Sequence, residues 1–113
     1  KPKDAGDARR MLALLSGRTH TVCTAVTIAA RGAAETFTVT SEVEFYPLDK
    51  EDIEAYVATG EPLDKAGAYG IQGRGAALVK RISGDYYAVM GLPIAELARR
   101  LKKYGIYPQK AVV

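Results

Sequence analysis

The sequence predicts an α/β domain, because stretches that alternate apolar and polar residues with the period of a strand are interspersed with stretches that repeat them with the period of a helix. A second observation agrees: Gly, Pro and Asp stand at most of the junctions where one period gives way to the other. With 113 residues, 48% of them hydrophobic and 26% charged, the chain has the balance of one globular domain or a piece of one.

The first helix is predicted where Ala8, Met11, Leu12 and Leu15 recur at helical spacing, with Asp4 and Asp7 at its start and Gly17 closing it. HTVCTAVTIAA then alternates. Val22, Thr24, Val26 and Ile28 share one face, and the small residues Cys23, Ala25, Thr27 and Ala29 on the other suggest close cover. After a turn at Arg31 and Gly32, TFTVTSEVEFY sets Phe37, Val39, Val43 and Phe45 against Thr36, Thr38, Thr40, Glu42 and Glu44, so the two strands form a hairpin. Pro47 ends it. Asp49 and Asp52 stand at capping-box spacing before a helix carrying Ile53, Tyr56 and Val57. Farther on, AALVKRIS and YYAVMG read as two strands joined by a tight turn at Ser83, Gly84 and Asp85, with Tyr86 and Tyr87 pairing across strands. Pro93 opens a last helix with Ile94, Leu97 and Leu101 inward and Arg99, Arg100, Lys102 and Lys103 outward.

Composition removes several classes of function. No apolar run approaches the ~20 residues of a membrane-spanning helix, and the opening KPKDAGDARR lacks the apolar core of a secretory signal. The expectation is a cytoplasmic protein without a membrane partner. Cys23 is the only cysteine and His20 the only histidine, which leaves no disulfide within the chain and no Cys/His zinc cluster. The net charge of +3 comes from 16 basic and 13 acidic residues, well mixed. The basic face of RRLKK has no aromatic stacking platform beside it and reads as the solvated side of a helix, so no nucleic-acid partner is expected. Glu42 and Glu44 point the same way and read as a solvated sheet face rather than a cation pair. His20 reads as a hydrogen-bonded structural residue.

The most unusual stretch is TGEPLDKAGAYGIQGRGA, residues 59–76. Its glycines at 67, 70, 73 and 75 match neither GxGxxG nor the P-loop. Glycine lets backbone N–H groups approach a ligand closely, and it serves a structural turn equally well. The residues alone leave both open, although Glu61, Asp64, Lys65 and Gln72 exceed what a turn requires.

The residues KP at the start, LSGRTHTVCTAV at 15–26, GEPLDKAGAYGIQGRGA at 60–76 and GDYYAVMGLPIAEL at 84–97 resemble the Maf family of nucleoside triphosphate pyrophosphatases, also called septum formation proteins. The resemblance implies a mixed twisted sheet with flanking helices. It also implies a hydrolase dependent on a divalent metal, Mg²⁺ or Mn²⁺, that cuts a nucleoside triphosphate between its α- and β-phosphates as a house-cleaning step. DKAGAYGIQG is similar to the branch acting on dTTP and UTP, in which the glutamine, here Gln72, is linked to base choice. A lysine followed by proline, matched here by Lys1, is linked to the phosphates. Lys65 is added as a second phosphate contact on its position among the glycines.

On this resemblance, residues 1–113 form a single Maf-like domain lacking its N-terminal part. That part would hold an SPRR-type phosphate loop, a metal-binding glutamate and the ADT aspartate serving as general base. No catalytic or metal-binding residue is therefore expected among these residues, and this chain alone should be inactive. The expected partner is a second copy, as a homodimer, or a complementing chain that covers the exposed sheet edge. The alternative is a nucleotide-binding or cell-division protein without catalysis.

Overall fold

In the computed structural model, which describes residues 1–107, the helices that reach the core lie on one face of a three-stranded antiparallel sheet. The elements in chain order are α1 (Ala5–Leu15), β1 (Thr19–Ala30), β2 (Ala33–Phe45), α2 (Lys50–Ala58), β3 (Val79–Ser83), α3 (Tyr86–Met90) and α4 (Ile94–Leu101). The sheet order is β1-β2-β3, with β2 in the middle. The hairpin pairs Thr19 with Glu44 at one end and Ala30 with Ala33 at the other, and β3 covers only residues 42–45 of β2.

Alternation decides which face is buried. Phe37, Ser41, Val43 and Phe45 of β2 point to the helical side, and Val43 and Phe45 join Ala8 and Leu12 of α1 and Tyr56 and Val57 of α2 in the core. Helix starts follow the residues that favour them. Asp4 Oδ1 accepts from the Asp7 N–H, and Asp49 and Asp52 exchange two hydrogen bonds as a capping box at the start of α2.

Three expectations are corrected here. YYAVMG is helical, not a strand, because the Asp85 carboxylate accepts from the N–H groups of Tyr87 and Ala88 and caps α3. Tyr86 and Tyr87 accordingly meet edge to face on a helix, exposed, and do not pair across strands. The second correction concerns Cys23, Ala25, Thr27 and Ala29, which are exposed: no described element covers that side of the sheet. In the third, α4 buries no residue, and Ile94 is 53% exposed instead of inward. That helix is held by polar contacts, since Arg100 lies over the Phe37 ring and reaches Glu35, which also accepts from Lys103 and the Tyr104 hydroxyl.

With the hairpin and α4 projecting, the radius of gyration is 17.2 Å, well above the ~13 Å of a compact domain of this length. The helical layer is tied to the sheet at Ser41, which is buried. Its hydroxyl accepts from the Asp85 N–H at 2.9 Å and donates to the Asp85 carbonyl at 3.2 Å, while Thr24 Oγ1 donates to the Ala88 carbonyl. Ser41→Ala should strand the Asp85 N–H, while the Asp85 carbonyl keeps the Val89 N–H, and lower stability by about 1 to 3 kcal/mol. Urea denaturation measures this, and an unchanged midpoint would remove Ser41 as the tie.

Candidate functional site

The glycine-rich stretch folds as three short 3₁₀ turns, Glu61–Asp64, Ala66–Ala68 and Gly73–Leu78, laid between α2 and β3. It forms one wall of a cavity of about 640 Å³. Leu15 of α1, His20 to Val22 of β1, and Val89 and Met90 of α3 form the rest. The volume lies within the ~300 to 1,000 Å³ typical of small-molecule sites.

Glu61 holds the loop in shape. Its Oε1 accepts from the Tyr56 hydroxyl at 2.7 Å and from the Gly75 N–H at 3.1 Å, and its Oε2 accepts from the Arg74 N–H at 3.2 Å. Tyr56 Oη in turn accepts from the Gly70 N–H at 3.2 Å. These bonds, led by the one from Tyr56, hold the Glu61 carboxyl below its ordinary pKa, against a smaller opposing effect of burial. Burial raises the Tyr56 phenol well above its usual range, and the adjacent Glu61 charge adds to this. The hydroxyl therefore stays a donor to Glu61.

Gly73 and Gly75 face the protein itself. A Cβ at Gly75 would lie 2.1 Å from the Gly70 carbonyl oxygen and 2.7 Å from Tyr56 Oη, and one at Gly73 would lie 2.9 Å from Glu61 Oε2. The sequence suggests glycines that admit a ligand; at these two positions the structure uses them to close the loop upon itself.

Of the three residues singled out for nucleotide binding, the structure brings two together. Lys65 and Gln72 both line the cavity, whereas Lys1 is exposed and is not on its wall. Lys65 takes part in none of the ion pairs formed among the described residues, so its ammonium remains available for an anion. Glu44 is engaged by Lys80 and Arg81, as a solvated sheet face requires. Among the described residues no three His, Cys, Asp or Glu side chains gather into a metal-binding group, so a divalent cation does not fit here on protein ligands alone.

His20 and Tyr69 close the floor. His20 Nε2 and Tyr69 Oη are 2.6 Å apart, and both rings meet Phe45 edge to face. The structural role read for His20 is what the geometry shows. Sequence reasoning missed Tyr56, read only as part of the α2 stripe, and the clamping role of Glu61. The available signal was a Glu just past the Gly60 that follows α2, in a loop whose glycines leave several N–H groups to satisfy.

The chain matches the Maf-like protein family over residues 1–104. It belongs to that family. It is 56% identical to the dTTP/UTP pyrophosphatase of Bacillus velezensis over 94% of this chain and 56% of the relative. The dTTP/UTP pyrophosphatase of Bacillus cytotoxicus is 56% identical over 92% and 54%, and that of Bacillus pumilus 54% identical over 96% and 57%. The Maf-like chain thus spans little more than half the length of the curated relatives it matches. The α/β architecture observed, with helices flanking a sheet, agrees with that family's fold; the three described strands are all antiparallel.

Burial lowers the His20 pKa from 6.5, and His20 Nδ1 is buried with no hydrogen-bond partner among the described residues, so in the doubly protonated ring the Nδ1 proton would find no acceptor. The neutral ring is therefore the folded form. Its contribution to stability is complete above pH 6.5 and is lost as the pH falls from there toward the lowered folded value. His20→Gln should flatten this segment of a stability-versus-pH curve measured by thermal unfolding. An equal slope in both proteins would place the titration elsewhere.

Proposed function

We propose that this chain is the base-reading part of a nucleoside triphosphate pyrophosphatase that converts dTTP and UTP to the monophosphate and pyrophosphate. The observation that carries the reading is the cavity itself, where Lys65 and Gln72 share a wall with a loop whose conformation is fixed from within. The names of the relatives support the same substrates.

In this reading Gln72 faces the base. Its amide offers a donor and an acceptor side by side, matching the O4 acceptor and N3–H donor of thymine and uracil. Cytosine presents the reversed pair, so a fixed amide leaves it with unpaired polar atoms. Lys65 neutralises phosphate charge; the phosphate contact assigned to Lys1, which lies off the cavity wall, rests on the family resemblance alone. The general base and the cage for a divalent cation, Mg²⁺ or Mn²⁺, lie outside these residues, so the chain by itself is inactive. When bound, the cation would neutralise charge on the phosphates; the part of this chain is to bind and orient. The domain is a single one, cytoplasmic, and paired with a second copy or a complementing chain. The exposed face of β1 and its outer edge, unpaired among the described residues, support that pairing.

Pyrophosphate release from a panel of triphosphates with Mg²⁺ or Mn²⁺, on this chain and on the full-length protein, tests the reading. Turnover by the full-length protein only is expected; none by either would favour a non-catalytic nucleotide-binding role. In the full-length protein Gln72→Ala should narrow the preference for dTTP and UTP over CTP by about 1 to 3 kcal/mol. Equal losses for all three would mean that Gln72 does not read the base. Lys65→Ala should lower kcat/KM by roughly tenfold or more for dTTP and UTP alike.

A further inference from the structure

We propose that Glu61 is a specificity-determining positioning residue: by clamping both ends of residues 70–75 to one carboxylate, it fixes the backbone from which Gln72 projects at the cavity wall. This rests on the reading of Gln72 as the base contact.

The geometry is that of a closed ring. Gly70 and Gly75 are in backbone contact, since a Cβ on the second would overlap the carbonyl oxygen of the first. One end is held through Tyr56, which accepts from the Gly70 N–H and donates to Glu61, and the other directly through the N–H groups of Arg74 and Gly75. Three donors therefore converge on two carboxylate oxygens. Nothing comparable restrains Gln72, whose exposed side chain makes no hydrogen bond to other described residues. An amide acting alone could turn over and accept uracil and cytosine equally, so discrimination depends on the fixed frame from which Gln72 projects and on the loop backbone groups that this frame sets beside it. Glu61 itself lines the cavity, and both of its carboxylate oxygens are engaged by loop partners. It acts through Gln72 and not on the substrate.

An amide at position 61 keeps the volume but replaces one acceptor oxygen with a donor that opposes the Arg74 or the Gly75 N–H. Tyr56→Phe keeps the ring in the core and removes the hydroxyl link to Gly70. In the full-length protein, amide exchange at residues 70–75 and kcat/KM for UTP and CTP are measured for wild type, Glu61→Gln, Tyr56→Phe, Gln72→Ala and the double variant Glu61→Gln/Gln72→Ala. The expected result is exchange faster by about tenfold or more in both clamp variants, and a UTP-over-CTP preference reduced by about the same factor. In the double variant, Glu61→Gln should cause no further loss of preference beyond Gln72→Ala, because its effect passes through that side chain. Faster exchange with the preference intact would overturn the specificity role, and unchanged exchange would overturn the clamp. A wild type that does not distinguish UTP from CTP would refute the base-reading assignment and the specificity role with it, while the exchange measurement would still decide the clamp.

Discussion

The structure depends on β2, the strand flanked on both sides, whose helical face carries Val43 and Phe45 into the core and Ser41 into the tie with α3. With only one face covered by the described residues, each packed element must find its place against the same short row of side chains. α1 reaches it through Ala8 and Leu12, α2 through Tyr56 and Val57, and the glycine-rich loop through Ala68 and Tyr69. The cavity is the space left where α1 and the glycine-rich loop, with β1 and α3, fail to close completely. Apolar burial at ~25 cal/mol per Å² supplies the attraction, and the buried hydrogen bonds of Ser41, Thr24 and Tyr56 decide the orientation.

Much of this was legible in the sequence. The hairpin strands announce themselves by alternation, and the carboxylates of Asp4, Asp49 and Asp52 mark helix starts because a cap is a local contact between neighbours in the chain. The error at residues 86–90 has the same root. Tyr and Val favour a strand by propensity, but Asp85 satisfies two helical N–H groups and outweighs them over so short a segment. Position 85 was read as part of a hairpin turn when it is a cap.

The C-terminal helix was misread for a different reason. Its apolar spacing is regular, yet regular spacing states only that a face could be buried and not that a partner exists to bury it. The contacts that hold it come from Glu35, far away in sequence, and no local pattern reveals them. The candidate site divides in the same way. Lys65 and Gln72 stand out because polar side chains among glycines are conspicuous, whereas Tyr56 looks like any aromatic on a helical stripe until the fold brings its hydroxyl to Gly70.

The loop clamp has a consequence for assembly. Tyr56, Glu61, Gly70 and Gly75 lie close together along the chain, so their ring closes at little cost in chain entropy and adds little to the contact order of the domain. The floor of the cavity is of the other kind, since His20 and Tyr69 meet across a separation of 49 residues and the hairpin must already be in place. The loop thus carries its own instructions for its shape and borrows only its location from the sheet. Substitutions in β1 could shift the distance across the cavity and leave the loop conformation intact. A family could in this way alter the depth of its site and the identity of its reading residue as two separable inheritances.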